Sequence, residues 1–432
     1  MVVRTRIIGG LVIPVTQSGL WYENGHVVVE DGRIVAVGPG EGPTVPGEAV
    51  VNAAGKYVLP GFVNAHGHAA MALLRGFADD LPLMDWLQKK VWPIEDRLTG
   101  EDIYWGTMLA LLEMIEGGTT TFADMYFHMD RVAEAVAQAG VRGVLSRGII
   151  GTSPDEGRGA IRESREFARR WHGAEGGRIT VTLGPHAPYT CPPAVLRQVV
   201  EVSAELGVGI QIHLSETRSE VEQIVASHGK SPVDVCAEAG LFERPTLVAH
   251  AVHLTEADID LMARFDVRVA HNPGSNLKLG SGVAPLPKLL QRGVVVGLGT
   301  DGAASNNNLD LLEEIRLAAL IHKGVGEDPI AVDADTALAL GTREGARALF
   351  LEEGAGTLAP GAPADLIFMD GSGPHLLPLY NPISQVVYAA KSGDVTDVMC
   401  DGRWLLRDRQ HQTLDRDKIL FHVGRIVEGF TR

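Results

Sequence analysis

The sequence predicts an α/β protein, a (β/α)8 TIM barrel with a small β-sandwich domain formed by both chain termini. Three observations support this prediction. The middle of the chain alternates short apolar runs with helical patterns, which is typical of parallel βαβ units. Both ends instead contain β-branched runs separated by turn residues. The length of 432 residues suits one large barrel with additions.

The sandwich strands are predicted at the two ends of the chain, over residues 6–8, 26–30, 34–37, 364–369 and 395–399. Turn residues such as Asp31-Gly32 and Asp401-Gly402 separate them. We therefore assign residues 1–59 and 356–432 to the sandwich and residues 60–355 to the barrel.

The barrel strands can be counted along the middle of the chain, at residues 57–65, 119–124, 143–147, 179–184, 208–213, 246–250, 267–271 and 294–299. Helical patterns lie between them, for example over residues 104–116, 132–139, 193–206 and 309–322. Strands and helices in this number and alternation fit a (β/α)8 barrel.

Composition excludes several classes of partner. Lys plus Arg is 38 and Asp plus Glu is 54, so the formal net charge is −16. This balance argues against nucleic acid or an anionic membrane surface, because both require a positive footprint. No apolar run approaches the ~20 residues of a membrane-spanning helix, and no signal peptide is recognisable. Three scattered cysteines indicate a reducing compartment, so we expect a cytoplasmic protein.

Unusual polar residues stand at or just after the ends of the predicted barrel strands. They are His66, His68, Asp124, Arg147, His186, His213, Glu216, His250, His271 and Asp301. In barrels of this kind the active site lies at the carboxyl ends of the strands. Scattered surface histidines would not follow that rule.

Four of these residues suit a divalent metal ion. His66 and His68 project to the same side if the first strand stays extended, His213 ends the fifth strand, and Asp301 follows the eighth. Three imidazoles and a carboxylate fit Zn²⁺ most simply, and Fe²⁺ or Mn²⁺ are also compatible. The end of the fourth strand has no lysine to bridge two metals, which favours a single ion.

Two further residues suit proton transfer. Glu216 lies three residues after His213, so it faces the same site only if the chain turns after the strand. Its predicted role is proton shuttle, and the alternative is a first-turn glutamate of the next helix. His250 ends the strand beside that of His213, and we expect it to orient the attacking hydroxide.

The sequence resembles the amidohydrolase superfamily, in the branch that holds the 5′-methylthioadenosine/S-adenosylhomocysteine deaminases and the triazine chlorohydrolases. The resemblance spans nearly the whole chain. The matching strings are LPGFVNAHGH at 59–68, GPHAPY at 184–189, HLSET at 213–217, HAVH at 250–253, HNPGSNLKL at 271–279 and GTDGAASNN at 299–307.

This resemblance implies roles residue by residue. It implies that His66, His68, His213 and Asp301 bind the metal, that Glu216 and Asp301 act as acid and base, and that His250 acts on the hydroxide. For the substrate it implies that Glu95 binds the ribose hydroxyls, that Arg147 positions the ribose or substrate, and that Arg158 lies near the homocysteine carboxylate. It also implies that His186 lies near the ribose or purine, and that Trp86 and Ser305 line the pocket.

The resemblance implies hydrolytic deamination of an adenine nucleoside with a 5′-thioether, giving the inosine analogue and ammonia. S-adenosylhomocysteine, 5′-methylthioadenosine and adenosine remain open as substrates, because they differ only in the 5′ group. Alternatives are an s-triazine chlorohydrolase or aminohydrolase, a guanine or 8-oxoguanine deaminase and, in a different class, a non-catalytic barrel scaffold. Related enzymes are commonly oligomeric, so we expect a homo-oligomer. The expected binding partner is a small-molecule nucleoside substrate.

Overall fold

A computed structural model describes residues 4–81 and 83–430 of the chain. The strands that precede the barrel are β1 (Arg4–Val12), β2 (Tyr22–Glu30), β3 (Arg33–Pro39), β4 (Ala49–Asn52) and β5 (Lys56–Pro60). β2 pairs antiparallel with β1 and with β3, whereas β4 and β5 run parallel to β1. Branched side chains such as Ile7, Val27 and Ile34 are buried and form the core of this sheet.

The barrel strands of the described chain are β6 (Phe62–Asn64), β7 (Thr119–Tyr126), β8 (Arg142–Ile149), β9 (Ile179–Pro185), β10 (Ile210–Leu214), β11 (Thr246–His250), β12 (Arg268–His271) and β13 (Val296–Leu298). They run parallel and are hydrogen-bonded in this order. The backbone N–H of Ala65, just after β6, donates to the carbonyl of Leu298 in β13 at 2.7 Å, which joins the two ends. The predicted α/β barrel is therefore confirmed.

The strands that follow the barrel return to the first sheet. They are β14 (Leu366–Asp370), β15 (Val395–Cys400), β16 (Arg403–Arg407) and β17 (Gln410–His411). β14 pairs antiparallel with β5, so the sheet runs in the order β17-β16-β15-β14-β5-β1-β2-β3, with β4 also on β1. Both ends of the chain thus share one sheet, as predicted.

The α-helices of the described residues are α1 (Leu83–Trp86), α2 (Trp92–Glu95), α3 (Gly100–Glu116), α4 (Met129–Ala139), α5 (Pro154–Trp171), α6 (Pro193–Leu206), α7 (Arg218–His228), α8 (Pro232–Glu238), α9 (Glu256–Arg264), α10 (Pro273–Lys278), α11 (Leu286–Gln291), α12 (Leu311–Gly326), α13 (Ala334–Leu340), α14 (Arg343–Ala348), α15 (Pro382–Tyr388) and α16 (Arg416–Phe430). A π-helical turn, Leu87–Val91, joins α1 to α2, and a 3-10 helix, Ala69–Leu74, follows β6.

Local capping chemistry sets where α3 begins. The hydroxyl of Thr99 accepts the N–H of Asp102 at 3.3 Å, and the carboxylate of Asp102 accepts the N–H of Thr99 at 2.8 Å. This reciprocal pair satisfies two N–H groups that the first helical turn leaves free. The helix therefore begins at Gly100, four residues before the predicted start at 104.

The first predicted barrel strand, over residues 57–65, is in fact two strands. Gly61 separates β5, which belongs to the first sheet, from β6, which belongs to the barrel. An added Cβ on Gly61 would lie 2.1 Å from Oγ1 of Thr120 in β7, so only glycine lets the chain pass this close. His66 and His68 consequently lie in the loop after β6, and strand pleating does not explain their convergence.

Apolar packing holds the barrel strands in place. Small side chains of β6, β7, β8, β11 and β12 form a buried cluster with residues of α14, namely Val63, Ala123, Val144, Leu247, Ala270, Ala346 and Ala348. Close-packed interiors of this kind have low compressibility, so the carboxyl ends of the strands are held in place relative to one another. In the described part of the chain, none of the helices combines the length and the apolar character needed to cross a membrane.

We predict that Gly61→Ala lowers the free energy of unfolding by about 1–3 kcal/mol, because the new methyl group overpacks against Thr120. Denaturant unfolding measures this change. Gly159→Ala is the matched control: it lies in α5 with no atom within 4 Å of the added Cβ, so alanine should leave stability equal or higher. A Gly61→Ala protein as stable as the parent would contradict the close approach.

Candidate active site

The candidate active site is a cleft of about 730 Å³ at the carboxyl ends of the barrel strands. Most of the residues predicted for the site line it: His68, Trp86, Glu95, His186, His213, Glu216, His250, Asp301 and Ser305. His66 lies directly behind them, with its ring centroid 4.9 Å from that of His68 and 4.8 Å from that of His213. Arg147 and Arg158 lie elsewhere.

Three imidazoles direct ring nitrogens toward one point. One nitrogen from each of His66, His68 and His213 lies within 4.8 Å of the other two. The Nε2 atoms of His68 and His213 are only 3.4 Å apart. His66 Nε2 is buried and has no hydrogen-bond partner among the described residues. Close nitrogens of this kind require a shared proton or cation between them.

Backbone carbonyls determine which nitrogen of each ring bears the proton. Nδ1 of His68 lies 2.6 Å from the carbonyl of Met125, and Nδ1 of His213 lies 2.7 Å from the carbonyl of His186. A carbonyl oxygen only accepts, so both Nδ1 atoms donate. In the neutral rings Nε2 then presents its lone pair to the centre, which is how metal-binding histidines are oriented.

Asp301 completes the cluster. Its Oδ1 lies 3.2 Å from Nε2 of His68 and 3.6 Å from Nε2 of His66. Its Oδ2 accepts hydrogen bonds from the hydroxyls of Ser275 at 2.6 Å and Ser305 at 2.7 Å. Asp301 has φ +60°, a left-handed conformation that surrounding structure must hold in place. The turn after β13 therefore aims one carboxylate oxygen at the imidazoles and leaves the other to the serines.

The pKa shifts of Asp301, His66 and His68 indicate that a positive charge is stabilised between these side chains. Burial opposes ionisation of Asp301, yet the rings of His66 and His68 hold its pKa well below the ordinary range. Burial lowers the pKa of His66 to about 4, whereas for His68 the Asp301 carboxylate outweighs burial and raises the pKa to about 9. Once a cation displaces the proton of His68, the buried carboxylate and the three imidazole lone pairs form a donor set that suits a divalent ion. These residues could therefore hold a metal ion.

A sharp turn brings Glu216 into the same cleft. β10 ends at Leu214, and Ser215 follows with φ +53°, so the chain leaves the strand before Glu216. Its Oε2 lies 3.8 Å from Nε2 of His250, and its Oε1 accepts from the hydroxyl of Ser281 at 3.4 Å. Burial raises the pKa of Glu216. The i, i+3 spacing from His213 is thus compatible with a common site.

His250 is the last residue of β11 and lies between Glu216 and the cluster of metal-ligand candidates. Its ring is stacked on that of His213 with centroids 5.5 Å apart. Its Nδ1 lies 2.9 Å from Oδ1 of Asn276, which leaves Nε2 toward the cleft. With φ +73° it is the third residue of the site with a left-handed backbone, after Asp301 and Ser215.

The far side of the cleft suits a polar ring with hydroxyl groups. Glu95, at the end of α2, accepts a hydrogen bond from the hydroxyl of Tyr126 at 2.5 Å, and burial raises its pKa. Trp86 is buried and forms an apolar wall. Nδ1 of His186 lies 2.9 Å from the hydroxyl of Thr190. That hydroxyl also contacts the carbonyl of Ala187 at 3.1 Å, so it can accept from Nδ1 and leave Nε2 of His186 as an acceptor.

The two predicted arginines differ in position. Arg147 lines an adjoining cleft of about 1680 Å³, which shares Glu95 and Tyr126 with the first. Its guanidinium pairs with Glu163 at 2.8 Å. Arg158 lines neither cleft: its side chain is 75% exposed on α5 and pairs with Asp155. The structure brings Arg147 near the site and leaves Arg158 in solvent, because Arg158 lies on the outer face of the helix.

Sequence reasoning missed several contributors. Ser275, which holds Asp301, lies inside the string at 271–279 but has no chemistry of its own to single it out. Tyr126 lies two residues after Asp124, so strand alternation could have placed it. Glu220 ends a Thr-x-x-Glu pattern that predicts a helix cap. Ser275 and Tyr126 act by hydrogen-bonding Asp301 and Glu95. A sequence pattern can indicate where such a residue lies, but it does not reveal this supporting role.

Known proteins share this architecture. The family model "Amidohydrolase family" matches residues 57–405. A relative from Desulforudis audaxviator, named 5-methylthioadenosine/S-adenosylhomocysteine deaminase, is 53% identical over 424 residues and covers 98% of each chain. The crystal structure of an adenosine deaminase from Xanthomonas campestris with bound zinc is 36% identical, with a TM-score of 0.92, and the match covers 98% of this chain and 97% of that one.

A more distant solved structure agrees in fold. Atrazine chlorohydrolase from Arthrobacter aurescens TC1, complexed with zinc, is 24% identical, with a TM-score of 0.91, and the match covers 98% of this chain and 100% of that one. At this identity the likeness concerns the fold alone. The family model and the full-length relative settle the affiliation: the chain belongs to the amidohydrolase family.

Proposed function

We propose that the protein is a metal-dependent hydrolytic deaminase of adenine nucleosides. It converts S-adenosylhomocysteine, 5′-methylthioadenosine or adenosine to the inosine analogue and ammonia. The observation that supports the reaction type is the placement of Glu216 and the His66, His68, His213 and Asp301 cluster in one cleft. The name of the 53% identical relative supports the substrate class.

In this proposal His66, His68, His213 and Asp301 hold one divalent ion. Zinc is the metal we propose, because it is bound in the 36% identical adenosine deaminase, and the nitrogen and oxygen donors also accept Fe²⁺ or Mn²⁺. When bound, such an ion lowers the pKa of water to around 7 and so supplies a nucleophile at neutral pH.

The residues of the chain then move the protons. Asp301 accepts the proton of the attacking water while the two serine hydroxyls keep its Oδ2 oriented. Glu216 donates a proton to N1 of the purine, and burial helps it to hold that proton. His250, 3.8 Å from Glu216, orients the incoming oxygen at C6. The proton held by Asp301 passes to the amino nitrogen, the C6–N bond breaks, and ammonia leaves. The C6 hydroxyl gives its proton to Glu216, which forms the C6 carbonyl of the inosine analogue and restores the proton donor.

The cleft wall supports a nucleoside rather than a bare ring. Glu95 is placed to accept hydrogen bonds from ribose hydroxyls, and Nε2 of His186 offers another acceptor for the ribose or purine. Trp86 and Ser305 line the same pocket beside the ring. An s-triazine or a free purine would leave the half-buried carboxylate of Glu95 without a partner beyond Tyr126, and such a group is costly to desolvate.

The adjoining cleft offers space for a 5′ substituent. Arg147 lies there and could exchange Glu163 for the carboxylate of a homocysteine tail. Arg158 would have to leave Asp155 and cross from the solvent face of α5. We therefore base the tail assignment on Arg147.

Metal removal tests the centre. Chelation should abolish deamination, and Zn²⁺ should restore it. His213→Ala should lower kcat/KM by ~10³-fold or more, because the loss of one ligand removes several kcal/mol of stabilisation. An ultraviolet deamination assay and metal analysis measure both effects. His228→Ala, at the exposed end of α7, is the control. Full activity and unchanged metal content in His213→Ala would rule out the proposed centre.

The ribose assignment predicts a selective defect in Glu95→Gln. Its kcat/KM for adenosine should fall ~10- to 100-fold, because hydrogen bonds to a charged acceptor are worth ~1.5–3 kcal/mol. Activity on free adenine should change little. The same assay with nucleoside and base gives the comparison. If the parent enzyme deaminates adenine better than every nucleoside, Glu95 does not bind ribose.

The tail assignment separates the two arginines. Arg147→Ala should lower kcat/KM for S-adenosylhomocysteine ~10-fold or more, since a charge-assisted pair is lost. It should have a smaller effect on 5′-methylthioadenosine. Arg158→Ala is the matched control and should behave as the parent. Equal defects on both substrates, or a larger defect in Arg158→Ala, would contradict the assignment to Arg147.

A further inference from the structure

Glu220 is a buried acid to which the proposed mechanism gives no role. It lies in the first turn of α7 and is 5% exposed. In residues 4–81 and 83–430, no lysine or arginine forms an ion pair with it. Its Oε1 accepts the backbone N–H of Ser215 at 2.9 Å, and its Oε2 accepts the N–H of Glu216 at 2.8 Å. Both oxygens thus hold the turn that precedes the helix.

This arrangement departs from an ordinary helix cap. The Thr-x-x-Glu pattern at 217–220 predicts a capping box, in which Glu220 would accept the N–H of Thr217. The hydroxyl of Thr217 does accept the N–H of Glu220 at 3.2 Å. The carboxylate, however, reaches past Thr217 to the two residues before it. Its function therefore concerns the strand-to-helix turn more than the helix.

The turn needs such support. Ser215 has φ +53°, which a residue with a side chain adopts only when its surroundings impose it. Its carbonyl accepts the N–H groups of Val252 at 3.1 Å and His253 at 2.9 Å, from the loop after β11. Its own N–H is held by Glu220. The peptide at Ser215 is consequently fixed from both sides.

The conformation of the Ser215 peptide determines where the side chain of Glu216 lies. Without a turn at Ser215 the chain would continue along β10, and the side chain of residue 216 would face away from that of His213. With the turn, the Glu216 carboxylate lies in the cleft, 3.8 Å from His250. Proton transfer depends steeply on such placement, since an error of ~1 Å can cost ~10²-fold in rate.

We infer that Glu220 is a positioning residue for the reaction: its two carboxylate oxygens hold the left-handed turn at Ser215 that places Glu216 in the cleft. The role of Glu216 as proton donor rests on the proposed function; the turn itself does not. A carboxylate is required because it accepts through both oxygens. A glutamine has one acceptor and one donor, so one of the two backbone N–H groups would lose its partner.

Glu220→Gln tests the inference. We expect kcat to fall ~10²-fold with KM changed by less than ~3-fold and metal content unchanged, because the proton donor is displaced while substrate binding is retained. Glu222→Gln, exposed two residues later on α7, is the matched control and should keep the parent kcat. A Glu220→Gln protein with the kcat of this control would overturn the inference.

A double-mutant cycle separates positioning from a general structural role. If Glu220 acts through Glu216, then Glu216→Gln combined with Glu220→Gln should be no slower than Glu216→Gln alone. Losses that multiply would overturn the inference. If Glu220→Gln does not fold, Glu220→Asp replaces it: the shorter side chain keeps the charge, and we expect the same pattern with a smaller loss of kcat.

Amide hydrogen exchange tests the turn without substrate. At least one of the N–H groups of Ser215 and Glu216 should exchange faster in Glu220→Gln than in Glu222→Gln, because the glutamine leaves one of them without an acceptor. Unchanged exchange at both amides would overturn the inference. Full activity of Glu216→Gln would instead refute the proposed proton donor, and the exchange result would still decide whether Glu220 holds the turn.

Discussion

The buried carboxylate of Asp301 is the interaction on which the rest of the site depends. A charge in the barrel interior is costly unless opposite charge and hydrogen bonds compensate it. Here the imidazoles of His66 and His68 face one oxygen, and two serine hydroxyls bind the other. One requirement thus explains the arrangement, which is to compensate the negative charge of this carboxylate. The histidines, the two serine hydroxyls and the cation that the histidines would share all meet it.

Strained turns deliver the functional side chains to that point. Ser215, His250 and Asp301 all have positive φ at or within three residues of the end of a barrel strand, a conformation that costs free energy for residues with side chains. The packed barrel tolerates this cost because its strands are fixed by apolar contacts. The positive φ at these positions changes the direction of the chain within one or two residues. A regular strand or helix could not turn the side chains toward the cleft over so short a distance.

Two buried acids near the site, Glu220 and Glu314, form no ion pair with a lysine or arginine of the described residues. Glu314, on α12, accepts the N–H of Gly274 at 2.9 Å and the side-chain amide of Asn306 at 2.8 Å. It thereby joins α10, which contains Ser275, to the loop that contains Ser305. Burial raises the pKa of Glu314 to about 8 and that of Glu220 to about 7. The buried carboxylates of Glu220 and Glu314 thus hold segments next to the site by accepting their hydrogen bonds.

The sequence by itself determined the barrel, the terminal sheet and the polar residues at the ends of the barrel strands, because strand alternation and position after a strand are local properties. For Trp86, Glu95 and Ser305 only the resemblance to the amidohydrolase superfamily indicated a place in the cleft. It could not show that Gly61 divides the first strand, since that depends on Thr120 from β7. Nor could it show that Arg158 faces solvent while Arg147 lines a cleft, because both follow plausible spacings. Only tertiary structure decided the turn at Ser215 and its support by Glu220. Glu220 is close to Ser215 in sequence, but the N–H groups of Val252 and His253 that bind the Ser215 carbonyl come from the loop after β11, and that geometry exists only once the barrel closes.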